Sequence, residues 1–326
     1  MQAQNITFFG LTQASLSIAL AIKQGAPALN LIGYDDDSKL GKRAAEAGML
    51  DEVANDPEEA ISKSDILLID LPQAETENLF NLLGGLLQEH VVYTHLTPRS
   101  KHYQKLADTV VAKGFYVNAA PVPSVKPADP TDSDDPISTA DVDMFRNSLI
   151  CLMPSAKVDE AAVTTIRGIG QLIGADPYLI DPAEYDVYML ALKTLPQLSS
   201  LALFESLYGQ TAWKDLQRMA GQEFVSNTAA FSNQGEAIAK DVFNDPATAT
   251  HWINQMIASL QEIKRWIEIS DQETLASLVS EKSFNRDVWL QVRKDNQWDE
   301  TPKHDVENEG LRDMFMGNMF GRRRRE

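Results

Sequence analysis

A turn near the amino terminus carries the first residues whose types and spacing could do chemistry. Gly10, Thr12, Ser15 and Ser17 follow a short apolar run, where a dinucleotide-binding turn has its glycines and first helical residues. Asp35 comes 20 residues after Ser15, the spacing of the acidic residue that accepts hydrogen bonds from an adenosine ribose. The pattern predicts a site that prefers NAD to NADP, because Asp35 would repel a 2′-phosphate.

Two of the three glycines of such a turn are missing. Thr12 stands where glycine lets the backbone approach the pyrophosphate, and Ser15 stands where glycine lets the helix pack closely on the strand. The threonine side chain would project toward the phosphates and narrow the site. We therefore expect any binding of NAD to be weakened.

Histidine suits general base catalysis near neutral pH, and the chain has five histidines. His95 ends a predicted strand, on the edge where parallel sheets bind their ligands, so it is the candidate catalytic base. His102 follows in the next helix. The alternative, which we favour for both, is a partly exposed surface histidine. His90, His251 and His304 fit solvated positions, and no set of residues has metal-ligand spacing.

The segments that must position these residues alternate between short strands and helices. The strands are apolar on both faces, which is typical of a parallel sheet covered by helices, and the order of elements predicts an α/β, doubly wound Rossmann-type fold. Strands are predicted at residues 5–10, 29–34, 66–71, 91–96 and 115–118, and helices at 14–23, 39–47, 76–88 and 103–112. A polar loop at 126–141 precedes a strand at Ser148–Met153, a helix at 159–173 and a short strand at 178–180.

The second half is predicted to be all helical. Asp181 and Pro182 form a helix start, and the helix that follows to about residue 207 is apolar nearly all round. Such a helix should be fully buried, with a kink at Pro196. Long helices are also predicted at 247–269 and 272–293. These limits define a Rossmann-type domain at 1–181, a helical domain at 182–295 and a tail at 296–326.

Composition excludes several classes of protein. The net charge of −18, from 47 acidic and 29 basic residues, would repel a phosphate backbone, so nucleic-acid binding is not expected. The single cysteine, Cys151, lies in a buried strand segment and rules out an internal disulfide framework. No apolar run reaches the roughly 18–20 residues of a membrane span, and no signal peptide is recognised, so a cytoplasmic protein is expected.

Residues 310–325 are interpreted as a short helix with a basic end docked on the acidic body, rather than a membrane-surface or partner-binding tail.

Several segments, in order over about residues 5–295, resemble the prephenate dehydrogenase family. The resemblance implies an NAD(P)-dependent oxidative decarboxylation of prephenate or arogenate, a reaction of tyrosine biosynthesis. It also implies an intertwined homodimer formed by the helical half, which would bury the apolar helix. The segments are Gly10-Leu11 with Ser17, Gly33-Tyr34-Asp35, residues 144–154, Ile173-Gly174-Ala175, residues 182–186, Leu195-Pro196, and Arg286 with Trp289.

The resemblance places a substrate pocket at Asn118, Ala120, Pro121, Thr194 and Gln197, where the family's chemistry is missing. The family's histidine, which bonds the ring hydroxyl of the substrate and takes its proton, is replaced by Ala120. Thr194 and Gln197 also stand in the place of histidines. Since alanine can neither bond the hydroxyl nor accept a proton, weak or lost dehydrogenase activity is expected.

Two further replacements bear on the function. Tyr185 replaces a histidine at the helix start, and His95 replaces an aspartate after the fourth strand, which makes His95 the candidate for a relocated base. The alternative function is a non-catalytic relative that binds a small ligand or a partner in the old cleft. Arg218 and Arg286 are both candidates to receive a substrate carboxylate.

Overall fold

The computed structural model describes residues 3–96, 100–125, 135–155, 158–232 and 234–298. A six-stranded parallel sheet in the order β3-β2-β1-β4-β5-β6 forms the first half, so the predicted doubly wound fold is confirmed. Its strands are β1 Asn5–Phe9, β2 Asn30–Tyr34, β3 Glu52–Val53, β4 Ile66–Ile69, β5 Val92–His95 and β6 Phe115–Tyr116. The connecting helices are α1 Gln13–Gly25, α2 Ser38–Glu46, α3 Pro57–Lys63, α4 Gln73–Leu86 and α5 Ser100–Val110.

Two apolar cores, one on each face of this sheet, hold the helices. Leu68 of β4 packs in the same core as Ile22 of α1, and the next residue, Ile69, packs in the other core with Phe80 of α4. Successive side chains of a strand point to opposite faces, and both faces are covered here. This is why the strands are continuous apolar runs and could be predicted from the sequence.

A second sheet of three strands follows the first. Its order is β7-β8-β9, with β7 Asn118–Pro121 antiparallel to β8 Ser148–Met153, and β8 parallel to β9 Ala175–Leu179. The helix α7, Glu160–Leu172, connects β8 to β9. The prediction of one strand at 115–118 is therefore wrong in part, because the chain leaves the parallel sheet at Val117 and pairs with β8 from Asn118 onward.

In the part of the chain before Asp181, three short elements are not anticipated by the sequence pattern. They are β3, α3 and the single-turn helix α6, Pro136–Thr139, which lies within the segment predicted as a polar loop. Residues 126–134 of that segment lie outside the described residues. The short β3 contains only Glu52 and Val53, which is too little for a periodic signal.

The helical part begins at the predicted cap. Asp181 accepts the amides of Ala183 and Glu184 at 2.8 and 3.3 Å, and α8 Pro182–Met189 follows. A π-helical turn, Leu190–Thr194, joins α8 to α9, Leu195–Tyr208, which has Pro196 in its first turn. Pro196 cannot donate a backbone hydrogen bond, and the wider turn before it accommodates that loss.

The remaining elements are a 3₁₀ turn and helices. They are α10 Trp213–Met219, α11 Gln222–Thr228, the 3₁₀ turn Ala229–Phe231, α12 Gly235–Asn244, α13 Pro246–Glu268 and α14 Gln272–Asp295. The last two lie where the long helices were predicted. Contacts divide the chain into two units between Gln272 and Glu273, so α14 belongs mainly to the second unit. The boundaries at residues 181 and 295 stay predictions.

The expectation of a fully buried helix after Pro182 is wrong for a single chain. Leu192 is 71% exposed, and Leu201 and Leu203 are 41% and 40% exposed. Within the described residues, Pro182–Tyr208 is by length and composition one helix apolar enough to cross a membrane, whereas the sequence predicts no apolar run of that length. The π turn keeps α8 and α9 in one continuous helix of 27 residues, and Lys193 interrupts its apolar run in the sequence. Inside the first unit this helix contacts α5, α11 and α13. Residues 299–326, with the predicted tail helix, lie outside the described residues.

Candidate functional site

The predicted nucleotide turn lies at the carboxyl edge of the parallel sheet, beside the ends of β1, β2 and β4. Gly10 follows β1 with a φ of 86°, a backbone conformation that strains any residue with a side chain. A Cβ atom at Gly10 would lie 2.2 Å from the carbonyl oxygen of Asp70, which follows β4. Gly10 is therefore required by the close approach of two strand ends.

Thr12 caps α1 and forms a capping box with Ser15. The Thr12 Oγ1 accepts from the Ser15 N–H at 3.1 Å, and the Ser15 Oγ accepts from the Thr12 N–H at 2.9 Å. The Ser15 hydroxyl also donates to the carbonyl of Gly10 at 2.8 Å. Part of the amide set that a dinucleotide turn offers to phosphate is thus used within the turn itself.

Ser17 lies on the same helix but serves a different contact. Its hydroxyl donates to the carbonyl of Gln13 at 2.6 Å and accepts from the Asp141 N–H at 2.9 Å. The side chain is fully buried. Ser17 therefore ties α1 to the segment before β8, and its predicted role in cofactor binding gains no support from this position.

Asp35 lies directly after β2 and beside the turn, at the place its spacing predicts. Its Oδ2 accepts from the Leu11 N–H at 2.8 Å, and its Oδ1 accepts from the Asp37 N–H at 2.9 Å. Each carboxylate oxygen has a further lone pair, so a ribose diol could still donate to Asp35. The structure thus brings Gly10, Thr12 and Asp35 together.

A second carboxyl group, which the spacing of motif residues does not indicate, lies at this turn. The Thr12 hydroxyl donates to Oδ2 of Asp70, and the Asp70 N–H donates to the carbonyl of Phe9 at 2.8 Å. Burial raises the pKa of Asp70, while the hydrogen bond from Thr12 and the charge of Lys193 act in the opposite direction. The available sequence signal is that Asp70 follows an apolar strand, at the edge where such sheets bind ligands.

These contacts fit one half of NAD but not the other. Asp35 keeps acceptor sites for the adenosine ribose. Asp70, in contrast, places its carboxyl group at the start of α1, the end of a helix that attracts phosphate, and in its ionised form it would repel a pyrophosphate there. The described residues therefore do not fit the whole dinucleotide.

Position 120, where the resemblance predicts that alanine replaces a catalytic histidine, is closed by apolar packing. Ala120 is 2% exposed, lies opposite Cys151 on β8, and packs with Met153 and Tyr185. Burial raises the pKa of the Cys151 thiol to about 11 and raises the pKa of Tyr185 above its usual range. Both groups keep their protons near neutral pH, so neither is a base for a substrate hydroxyl.

The other predicted pocket residues are spread over three elements. Asn118 is fully buried at the start of β7, and Pro121 ends that strand. Thr194 is buried at the end of the π turn, and Gln197 of α9 donates to Oε1 of Gln234 at 2.8 Å. Of these four predicted residues, Thr194 lines a cleft of about 440 Å³, and the other three do not.

This cleft lies between α5, α8 with the π turn, and the junction of α12 and α13. The Lys101 N–H donates to Oδ2 of Asp186 across it at 3.1 Å. Arg218 is exposed on α10 outside the cleft, and Arg286 is exposed on α14. Positive and negative side chains line the cleft in equal numbers: Lys101, Lys105, Lys193, Asp186, Asp241 and Asp245.

His95 ends β5 as predicted, but it is only 1% exposed, so its interpretation as a surface histidine is wrong. Its Nδ1 lies 2.5 Å from the Tyr116 hydroxyl, and its ring packs on Tyr103 with centroids 4.2 Å apart. Burial raises the pKa of Tyr116 well above its usual range, so this hydroxyl keeps its proton and shares a hydrogen bond with Nδ1 of His95. Nδ1 is thereby engaged inside the protein, which weighs against this nitrogen as a base.

The remaining histidines behave as surface groups. His102 is partly exposed, as expected, with its Nε2 3.0 Å from Oε1 of Glu77. His90 lies 3.4 Å from Asp65 and is half exposed, and His251 is exposed. Residue 304 lies outside the described residues.

Comparisons with known proteins give consistent findings. Residues 18–179 match the model of the prephenate dehydrogenase nucleotide-binding domain. Prephenate dehydrogenase of Bacillus subtilis (strain 168) is 21% identical over 275 residues, which cover 83% of this chain and 72% of that protein. The crystal structure of prephenate dehydrogenase from A. aeolicus with hydroxyphenyl propionate and NAD+ superposes with a TM-score of 0.74 at 17% identity, covering 88% of this chain and 98% of that one. Synechocystis arogenate dehydrogenase gives a TM-score of 0.67 at 18% identity, covering 87% and 99%.

Proposed function

The chain belongs to the prephenate dehydrogenase family, and from this premise we propose that it is a diverged member whose dehydrogenase activity is weak or lost. The observation that carries the proposal is Ala120, which stands where the family has its catalytic histidine. A positioned general base usually contributes about 10²–10⁴ to a rate. Its loss alone would leave little turnover.

The surroundings of Ala120 support the same conclusion. Cys151, Met153 and Tyr185 fill the space around it, and the two titratable groups among them are protonated near neutral pH. His95, the candidate for a relocated base, is buried and hydrogen-bonded to Tyr116. No replacement base is therefore evident among the described residues of this region.

The test is an assay of the purified full chain with prephenate or arogenate and NAD or NADP, followed by the absorbance of reduced nicotinamide. We expect no turnover above the background reaction. A rate ordinary for enzymes, on the order of 10 per second, would overturn the proposal.

A second candidate function is binding without catalysis in the cleft of about 440 Å³. The observation that favours it is the balanced lining of three lysines and three aspartates, which suits a small ligand that carries both charges. Arogenate is such a ligand and prephenate is not, because only arogenate has an ammonium group. Calorimetric titration with each compound tests this candidate, and equal, undetectable binding of both would count against it.

Assembly and location complete the proposal. The exposed apolar side of α8 and α9 supports a homodimer formed through the helical part, since a single chain leaves Leu192 and Leu201 in water. If a dinucleotide binds, Asp35 favours NAD. The cytoplasmic location stays a prediction.

A further inference from the structure

We propose that Asp70 is an internal anion which occupies the phosphate-binding end of α1 and excludes dinucleotides from this protein. The inference rests on the proposed function and deepens it, because it assigns the loss of cofactor binding to one side chain. It is carried by the contacts of the turn between β1 and α1.

Asp70 lies at the same edge of the parallel sheet as the turn between β1 and α1. β4 lies beside β1, with Ile69 opposite Phe9, so the residue that follows β4 comes to the same edge as the turn after β1. Asp70 continues this pairing by donating its N–H to the carbonyl of Phe9. Gly10 allows the approach, because any side chain there would strike the Asp70 carbonyl. The backbone thus delivers a carboxylate to the start of α1.

The Asp70 carboxylate interacts with the residue that caps α1. The Thr12 hydroxyl donates to Asp70, while Thr12 is also the residue that caps α1. The start of a helix carries a partial positive charge and attracts one anion. Here that anion belongs to the protein, and a pyrophosphate would have to displace it or bind against its charge.

Three backbone amides of the turn are also in use. The Leu11 N–H donates to Asp35, the Thr12 N–H donates to Ser15, and the Ser15 N–H donates to Thr12. A phosphate entering this turn would therefore have to break several internal hydrogen bonds. Replacing Thr12 and Ser15 by glycine would free their partners but would leave the charge of Asp70 in place.

The experiment measures binding of NADH by fluorescence, with circular dichroism as the check on folding. The central variant is Asp70→Asn, which removes the charge but keeps the size and an acceptor for Thr12. The matched control is Asp65→Asn, which removes the same charge just before β4, where Asp65 accepts the amides of Gln4 and Asn5. We expect barely detectable binding by the unmodified chain and a gain of about tenfold or more in Asp70→Asn.

The control and the double variant test whether the charge of Asp70 is the cause. Asp65→Asn should bind NADH no better than the unmodified chain. The double variant Thr12→Gly, Ser15→Gly should bind NADH only slightly better, and a larger gain should require Asp70→Asn as well. If Asp70→Asn does not fold, Asp70→Ser serves in its place. Micromolar binding of NADH by the unmodified chain would overturn the proposal, as would an Asp70 variant that folds but gains nothing, or an equal gain in the Asp65 control.

These outcomes are separate from those of the activity assay. A chain that binds NADH tightly but turns over no substrate would refute the role of Asp70 and leave the proposed function intact. Turnover by the unmodified chain together with very weak NADH binding would refute the proposed function and leave the role of Asp70 intact.

Discussion

At Ala120 the proposed loss of a reaction rests on a single side chain, while the strand that carries it is regular. β7 still pairs with β8, with Ala120 opposite Cys151, so the strand presents residue 120 in a defined position. What is absent is a lone pair that could take the proton of a hydroxyl. Because Cys151 and Tyr185 pack around the methyl group, a restored base would also need space.

We therefore expect Ala120→His alone to recover little prephenate dehydrogenase activity. Ala120→His combined with Thr12→Gly, Ser15→Gly and Asp70→Asn should recover more, since the cofactor turn is then opened and the charge of Asp70 is removed. The measurement is the rate of NADH formation with prephenate. Ala120→Gln is the matched control, because it adds a polar side chain of similar size that is not a base.

Turnover by the unmodified chain would indicate that another residue acts as the base. If the unmodified chain turned over prephenate at an ordinary enzymatic rate, the interpretation of Ala120 would be wrong. His95→Ala would then be the next variant, and abolished turnover would identify His95 as the base despite its bond to Tyr116.

Asp35 leads to a prediction about cofactor choice. In a chain opened by Asp70→Asn, we expect NAD to bind about tenfold more tightly than NADP, because Asp35 would accept the ribose diol but repel a 2′-phosphate. Calorimetry with both cofactors measures the ratio. Asp35→Asn should remove the preference, whereas Asp36→Asn, at a carboxylate bonded to the Tyr34 hydroxyl, should keep it. Equal binding of the two cofactors would contradict the assignment.

Spacing alone places Gly10 and Asp35 at one turn, because the ends of adjacent parallel strands meet at one edge of a sheet. The same reasoning does not find Asp70, whose contact with Thr12 spans 58 residues and depends on the pairing of β1 with β4. Nor does it predict the burial of His95. The aromatic residues that cover that ring come from different elements, and no local pattern joins them.

At the scale of elements, the sequence does not show where a strand changes its pairing partner or where a helix changes its type. The backbone stays extended through Val117, so the sequence shows one strand where the molecule has two with different partners. The π turn Leu190–Thr194 is hidden in the same way, because its residues are ordinary helix formers and Pro196 indicates only that the helix must adjust nearby. Elements buried on both faces, such as β1 and β4, are predictable because burial dictates their composition.

The cap of α13 gives a prediction about stability. Asp245 accepts from the Thr248 N–H at 3.1 Å and from its hydroxyl at 2.7 Å. We expect Asp245→Ala to lower the free energy of unfolding by about 1 kcal/mol near neutral pH. The hydrogen bond from the Thr248 backbone lowers the pKa of Asp245 in the folded chain. Its contribution is therefore complete above the pKa of the unfolded carboxyl and is lost as the pH falls through the lowered value.

Urea denaturation at several pH values measures this effect. The difference between Asp245→Ala and the unmodified chain should shrink on acidification, and a difference that persists unchanged at low pH would contradict the role of the carboxylate. Asp287→Ala, at an exposed position within α14, is the control and should change stability little.

At the scale of the whole molecule, two surface properties work against each other. The net charge of −18 keeps chains apart, whereas the continuous helix Pro182–Tyr208 leaves large leucine side chains exposed. Exposed apolar area of this kind is costly in water, and monomeric proteins rarely show it in one contiguous patch. Association through this helix would remove the cost.

We accordingly expect a homodimer in light scattering at micromolar concentration. Leu192→Glu, at a side chain that is 71% exposed, should shift the protein toward the monomer, because a charge would have to be buried in the interface. Leu86→Glu on α4, where the leucine is 36% exposed, is the matched control and should leave the dimer intact. A monomeric unmodified chain would contradict the prediction.

Gly10 has a consequence for how this lineage can evolve. Any substitution there would drive a Cβ atom into the Asp70 carbonyl, so purifying selection would retain this glycine in descendants that never meet a nucleotide. Positions 12 and 15 are under a looser constraint, since a threonine and a serine are accommodated there by hydrogen bonds within the turn. Among related chains, a glycine at position 10 would therefore indicate only that the fold is kept. The residues at positions 12 and 15 would indicate whether a dinucleotide is still bound.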